Sequence, residues 1–343
     1  MTNSHPITSS AWAPFRIAPC FSPRVWGRRD LRPWYDCVAA EGGEPIGEAW
    51  LTGDECVAAS GDHAGRTLGA LFAGNSEDLL GPSAAHCAGS PLLIKVIFAQ
   101  EKLSVQVHPD DRMAQKYGDP RGKTECWYVL EADPGAQVAC GLKPGVTLDE
   151  VKAGIEQGTL ESSLNLLDVA HGEMIFVDAG TVHAIWPGSI LLETQQNCDL
   201  TYRMYDYGRG RELHIEKSLE AIRFTTPSGK IFPSMLADRS ILMDGEHFRV
   251  ERVGVAGARS SASLACPVLP GENEPEKGLA YLFAAEGAAR VAGPGFGAVE
   301  LQKGGILAVP AASPEFFVED RGELELIRIT PRWPATGREQ KWQ

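Results

Sequence analysis

Apolar and polar positions along this chain recur mostly with a period of two, in short runs broken by Gly and Pro. That pattern predicts an all-β core instead of alternating strands and helices. The run Ser104-Val105-Gln106-Val107-His108-Pro109-Asp110-Asp111 is the clearest case. As a strand it places Ser104, Gln106 and His108 on one side and Leu103, Val105 and Val107 on the other, and Pro109 ends the ladder. A solvated edge strand would carry the same residues, but the polar face ends in an amide and an imidazole, both metal-binding groups. A helical period occurs in two places. Thr147 and Glu150 form a capping box ahead of Leu148, Val151 and Ile155, and Gly158 separates that helix from a leucine-rich turn with Leu160, Leu164 and Leu167. Residues 215–224 form the second helix, with Leu219 and Ile222 inward. Both helices are expected to be structural, because their polar residues form solvated faces. After Thr225-Thr226-Pro227-Ser228-Gly229 the strand pattern resumes almost to the end. Two domains are therefore expected: residues 1–228, with helical segments near 148–168 and 215–224, and a β domain over 229–343.

Two further segments carry candidate chemistry. Lys123-Thr124-Glu125-Cys126-Trp127-Tyr128-Val129-Leu130 has the β-branched and aromatic content of a strand. Lys123 and Glu125 share a face, which on an open sheet would be a surface pair of little consequence. The apolar residues that follow take the strand into the core and leave its charged start at a cavity rim, while Cys126 points the other way as packing. The segment from Glu193 to Tyr207 is unusually polar for one that follows Ile190-Leu191-Leu192. On a period-two reading Glu193, Gln195, Asn197, Asp199, Thr201 and Arg203 share a face. Arg203 offers fixed planar donors to a phosphate or a developing oxyanion, and Asp199 is placed to orient it or to hold a hydroxyl; a polar barrel rim would look the same.

Composition narrows the partners. The 343 residues are 43% hydrophobic and 22% charged, with a mean hydropathy of -0.15, as expected for a globular chain that buries a sizeable core. No run approaches a membrane span, and the N-terminus lacks the basic and apolar regions of a secretory leader, so a cytoplasmic location is expected. Eight cysteines without a CxxC pair predict reduced, mostly buried thiols. A net charge of -13 argues against nucleic acid and anionic membranes as partners. An anionic small substrate would then need a locally basic pocket.

The segment Gly172-Glu173-Met174-Ile175-Phe176-Val177-Asp178-Ala179-Gly180-Thr181-Val182-His183 resembles the second motif of the cupin superfamily, in which a strand and tight turn deliver a metal-binding histidine into a barrel. Asp178 stands where proline is usual and Pro187 where asparagine is frequent, while the spacing from Gly180 to His183 is kept. Taken with the earlier segments, this gives Gln106, His108, Glu125 and His183: two imidazoles, one carboxylate and one amide oxygen. Such a set suits Zn2+ with positions left for water or substrate, and by ligand type Fe2+, Mn2+ and Co2+ as well. With one carboxylate the ion would keep net positive charge to stabilise a developing enediolate.

The segments LLIKVIFAQEKLSVQVHPDD, GKTECWYVL, FVDAGTVHAI and ETQQNCDLTYRMYDYGR, with Trp26-Gly27 and Ile46-Gly47-Glu48-Ala49-Trp50 before them, resemble the type I mannose-6-phosphate isomerases of the short, bacterial kind over roughly residues 14–225. The resemblance implies a cupin-type jelly roll, one Zn2+ per chain on Gln106, His108, Glu125 and His183, and Ser104, Lys123, Asp199 and Arg203 in the substrate pocket. Only 57 residues separate Glu125 from His183, so the helical insertion of the long form is expected to be absent. The implied reaction interconverts mannose 6-phosphate and fructose 6-phosphate through ring opening, removal of the C2 proton, a cis-enediolate and reprotonation at C1. Arg203 would hold O1 and O2, and Lys123 would assist ring opening or bind phosphate. The general base is left open between a metal-bound hydroxide, Asp199 and a histidine outside the ligand set. A cupin oxygenase using iron and a noncatalytic sugar-phosphate-binding protein are the alternative readings. The number of subunits, one or two, is open.

Gly304-Gly305-Ile306-Leu307-Ala308-Val309-Pro310-Ala311-Ala312-Ser313-Pro314-Glu315 aligns with the Gly172–His183 segment, with Ala312 for the turn glycine and Glu315 for the histidine. It is read as a degenerate second cupin-like domain that binds no metal.

Overall fold

The period-two segments become the strands of four sheets in a computed structural model that describes residues 12–87, 89–254, 258–260 and 278–333. Strand accounts for 42% and helix for 15% of the described residues. Contacts divide the chain into two units, one made of residues 21–50 and 92–233, the other of residues 1–20, 51–91 and 234–343. This differs from a single cut at 228/229. The reason is backbone pairing: Phe15–Ala18 joins Ile306–Val309 on one side, with Phe15 opposite Ala308, and Val57–Ala58 on the other. The start of the chain thus completes a sheet of the C-terminal strands.

The first unit holds the sequence motifs. A seven-stranded sheet runs in the order Gly229–Ile231, Met174–Val177, Glu125–Ala132, Ser189–Gln196, Leu92–Ala99, Ile46–Trp50, Cys20–Arg28. A five-stranded sheet runs Tyr202–Tyr205, Val105–Val107, His183–Ile185, Gln137–Leu142, Leu164–Asp168. Every resolved pairing is antiparallel, for example His183 opposite Gln106 and Arg203 opposite Gln106. Trp127, Val129, Ile175, Val177 and Leu191 of the larger sheet pack with Val138, Cys140 and Ile185 of the smaller one to form the inner core. The outer face of the smaller sheet, with Val105, Val107, Ala139, Tyr202 and Met204, is covered by Val151, Leu160, Leu164 and Ala221.

The covering helices are those expected from the sequence. Leu148–Gln157 starts at a complete Thr147–Glu150 capping box and ends at Gly158 with φ 68°, a conformation that favours glycine. Val151 is buried and Ile155 partly so, but Leu148 lies on the exposed side because it opens the first turn. The second helix is shorter than expected, Ile215–Ala221, with Leu219 and Ile222 packed against the sheet. Leu103 departs from its predicted face: the strand begins only at Val105, so Leu103 turns in beside Trp26 and donates its N–H to Ile185 O at 2.9 Å. Two helices without a strong sequence signal are Leu68–Leu80, capped by Thr67, and Asp111–Lys116, capped by Asp110.

In the second unit an eight-stranded and a four-stranded sheet enclose Val253, Leu282, Val291, Leu307, Val318 and Leu326. Ile306–Val309 lies in the larger sheet, and Glu315 is exposed after the turn. Among the described cysteines none is in a disulfide, and Cys56, Cys87, Cys126 and Cys140 are buried; Cys266 and residues 1–11 lie outside the described residues. No helix among the described residues is long and apolar enough to cross a membrane.

Candidate active site

His108, Glu125 and His183 are brought from three strand ends to one point, where each offers a ligand atom within 4.8 Å of the others. His108 follows the Val105–Val107 strand, Glu125 opens the Glu125–Ala132 strand and His183 opens the His183–Ile185 strand. All three are essentially inaccessible to solvent. His108 Nε2 lies 3.6 Å and His183 Nε2 3.5 Å from the two carboxylate oxygens of Glu125. Gly180, at φ 87°, makes the turn that delivers His183; a Cβ there would meet Arg223 Cγ at 2.7 Å and Ala221 O at 3.0 Å.

The protonation of these rings follows from their partners. His108 Nδ1 lies 2.9 Å from Leu200 O and His183 Nδ1 2.9 Å from Thr181 O. A carbonyl only accepts, so Nδ1 carries the proton and Nε2 presents its lone pair to the centre. Burial lowers His183 to about 4 and His108 well below the ordinary imidazole value, so both are neutral near pH 7. Burial, followed by the Glu193 carboxylate, raises Glu125 to about 7. His108 Nε2 and Glu125 Oε1 find no hydrogen-bond partner among the described residues. The His108 lone pair and the Glu125 carboxylate, buried and unsatisfied, with the His183 lone pair facing only the Gln106 amide, are what a divalent cation requires. Gln106 stands beside them, with Nε2 3.2 Å from His183 Nε2 and Oε1 accepting from Ser104 Oγ at 3.3 Å.

The three groups lie beside a cavity of about 510 Å³. Ser104, Gln106, Lys123, Asp199 and Arg203 all line it, as do Arg24, Lys95, Glu193 and Arg211. Lys123 Nζ is 3.1 Å from Glu125 Oε2 and 3.9 Å from Glu193 Oε2. Its ammonium is kept protonated, since Glu125 and Glu193 outweigh the opposing effect of burial. Asp199 is exposed on the cavity wall and makes no ion pair within 4 Å among the described residues. Arg203 donates Nη1–H to Glu212 O at 2.9 Å and has no carboxylate within 4 Å among the described residues. Burial, then the nearby Arg211, lowers its proton affinity.

Sequence reasoning did not single out Arg24, Glu48, Lys95 and Arg211. Lys95, alone in the otherwise apolar LLIKVIFA strand, is buried 2.8 Å from Glu193 Oε2 and 3.6 Å from Glu48 Oε1, and Arg24 Nη2 reaches Glu48 at 2.8 Å. Glu193 also accepts from Trp127 Nε1 at 3.0 Å. Although burial opposes it, Lys95 and Lys123 hold Glu193 down to about 2. The usable signal was one charged residue inside an all-apolar strand. A row of alternating charges thus runs Arg24, Glu48, Lys95, Glu193, Lys123, Glu125 along the inner face of the larger sheet. Among the described residues His108, Glu125 and His183 are the one cluster of His, Cys, Asp and Glu with metal-binding geometry.

The catalytic domain of type I phosphomannose isomerases matches residues 15–135. A mannose-6-phosphate isomerase of Streptococcus mutans is 33% identical over 276 residues, covering 75% of this chain and 84% of the relative. The crystal structure of the mannose 6-phosphate isomerase from Bacillus subtilis superposes with a TM-score of 0.80 at 27% identity, over 92% of this chain and 99% of that one. A mannose 6-phosphate isomerase bound with zinc and yttrium shares the fold with a TM-score of 0.70 at 17% identity, over 93% and 100% of the two chains.

Proposed function

Because this chain belongs to the type I mannose-6-phosphate isomerase family and interconverts mannose 6-phosphate and fructose 6-phosphate, we propose that the reaction takes place in the cavity beside His108, Glu125 and His183. The observation that carries this reading is the pair of imidazole Nε2 lone pairs and the unsatisfied carboxylate oxygen, buried beside a cavity to which Lys123, Arg203 and Arg211 contribute.

The donor set fits a zinc ion held by His108, Glu125 and His183, and Gln106, whose amide nitrogen faces His183 here, would join through its oxygen once the amide turns over. The hydroxyl of Ser104 accepts as readily as it donates, so it satisfies either orientation of the Gln106 amide. When bound, the ion supplies Lewis-acid charge to the oxygens on C1 and C2. The Nδ1–H donors to Leu200 O and Thr181 O keep both rings in the ligating tautomer.

The chain's own residues divide the remaining work. Lys123, protonated and steered by Glu125, donates to the ring oxygen as the sugar opens. With the aldehyde at C1, the proton on C2 is acidic enough for a carboxylate to accept it. Asp199, exposed on the cavity wall and free of ion pairs within 4 Å among the described residues, accepts that proton and returns it to C1, while the proton of the C2 hydroxyl passes to O1 and leaves the carbonyl at C2. Arg203 donates to the enediolate oxygens as their charge develops, on a side chain already oriented by Glu212 O. Glu193 is not available as a base, because Lys95, Lys123 and Trp127 hold it ionised and occupied.

A coupled assay for fructose 6-phosphate formed from mannose 6-phosphate tests this, run on the protein as purified, after chelation and after return of zinc. Turnover lost with the chelator and regained with zinc supports it. Full turnover in metal-depleted protein removes the metal from the reaction. Asp199→Asn is expected to slow proton exchange between substrate C2 and solvent by ~10²-fold or more; unchanged exchange removes Asp199 as the base.

A further inference from the structure

We propose that Arg211 anchors the phosphate dianion of the substrate and sets the requirement for a phosphorylated sugar; this rests on the isomerase reading above. Arg211 lies outside the strands and matches none of the segments that pointed to the site, yet it lines the cavity. Its guanidinium is locked from behind. Nε donates to Asp206 Oδ2 at 2.7 Å and Nη2 to Asp206 Oδ1 at 2.5 Å, and Asp206 is itself 3% exposed. Nη1 makes no hydrogen bond to another described residue. One edge of the planar fork is therefore fixed by a buried carboxylate, and the opposite edge is left to serve an oxyanion.

The loop is built to hold this arrangement. Tyr207, Gly208 and Gly210 all take positive φ, at 55°, 73° and 76°, and the tyrosine does so without glycine's freedom. The resulting turn places Arg209 and Arg211 on the same Asp206, with Arg209 Nη1 3.6 Å from Oδ1. Arg209 is otherwise committed: it donates to Lys102 O at 2.7 Å and Glu101 Oε2 at 3.0 Å and stacks over Tyr207. Arg209 has Glu101 as a second carboxylate, so Asp206 serves mainly Arg211, and Arg211 is the one of the two that lines the cavity.

Arg203 adds a second cation to the same wall. It has no carboxylate within 4 Å among the described residues, its Nε is buried without a partner there, and its Nη1 is held by Glu212 O, one residue beyond Arg211. Two guanidiniums gathered in one cavity repel each other until an anion lies between them. The pairing of Arg203 with Gln106 across adjacent strands puts Arg203 near the reacting carbons. Arg211, on the loop, is left for the far end of the sugar. Asp206 is then a positioning residue for Arg211.

The test uses mannose 6-phosphate as substrate and inorganic phosphate as competitive inhibitor and calorimetric ligand. In Arg211→Gln the KM for mannose 6-phosphate and the inhibition constant for phosphate are expected to rise together, by ~10- to 100-fold, with a much smaller change in kcat. Asp206→Asn is expected to move both constants in the same direction by less. Arg211→Met keeps the apolar stem and replaces Arg211→Gln if the latter fails to fold, with the same outcomes applied. A folded variant with both constants within twofold of the parent overturns the proposal, as does a fall in kcat with KM unchanged. If the parent protein binds phosphate through Arg211 but does not isomerise mannose 6-phosphate, the isomerase reading fails and the anion site stands.

Discussion

Lys95 and Glu193 face each other on adjacent strands with 2.8 Å between Nζ and Oε2, and each side chain is only 4% exposed. Removing one partner leaves the other charged and almost fully buried. Lys95→Met is expected to destabilise the protein by about 3–5 kcal/mol in urea unfolding. Lys95→Met combined with Glu193→Gln should recover part of that loss, because the double substitution leaves neither charge behind. A double variant less stable than Lys95→Met would contradict this account.

The same pair predicts an acid-labile fold. Glu193 titrates at about 2 in the folded protein, below the ordinary 4.5. A depressed carboxylate contributes stability that is complete above the unfolded value and disappears as pH falls from about 4.5 towards 2. His183, held near 4 against 6.5, acts in the same sense in metal-free protein: the unfolded state takes up the proton first, so stability falls between about 6.5 and 4. Glu125, raised to about 7, acts in the opposite sense between about 7 and 4.5 and offsets part of the upper fall; the drop in melting temperature should be clearest from about 4.5 towards 2, and Glu193→Gln should flatten it.

Metal removal should affect stability as well as turnover. Without an ion the Glu125 carboxylate and the His108 lone pair stay buried and unsatisfied, and the His183 lone pair has only the Gln106 amide. Chelated protein is expected to melt at lower temperature and recover on adding Zn2+, and His108→Ala and His183→Ala should show no such recovery. Metal content measured on the same samples should fall in step.

Arg203 offers a test of transition-state stabilisation. If it serves the enediolate, Arg203→Ala should lower kcat by ~10²–10³-fold with a lesser effect on KM, the reverse of the split expected at Arg211. Loss confined to KM would move Arg203 from the reacting carbons to simple substrate binding.

Gly180 should not tolerate a side chain. Its φ of 87° and the close approach of Arg223 and Ala221 O leave no room for a Cβ. Gly180→Ala is expected to cost about 1–3 kcal/mol and to weaken metal binding by displacing His183. Calorimetric unfolding and zinc titration of this variant would separate the two effects.

The gathering of His108, Glu125 and His183 was readable because these residues sit at strand ends with local signatures. The alternation from Val105 to Val107, stopped by Pro109, gives the face of Gln106, and the glycine turn gives the position of His183. The Thr147–Glu150 box was legible for the same reason, since a cap is a relation between near neighbours. The charge row was not. It depends on Leu92–Ala99 lying between Ile46–Trp50 and Ser189–Gln196, an order that no local pattern encodes. Lys95 alone looked like an interruption in an apolar strand, and its meaning appeared only once Glu48 and Glu193 stood on either side. Arg211 was invisible for another reason: its place depends on a loop with three left-handed residues, and loops carry no period. The distribution of residues 1–20 and 51–91 likewise follows from long-range strand pairing.

Both histidine rings give their Nδ1 protons to carbonyls of the main chain, at Leu200 and Thr181. Main-chain oxygens are present whatever residue the gene specifies at those positions. The orientation of the two rings is therefore insured against substitution of their hydrogen-bond partners, and it fails only when the path of the backbone itself moves. Changes that reach the centre without touching a ligand should accordingly come from turns and insertions near 181 and 200, more than from exchanges of side chains there.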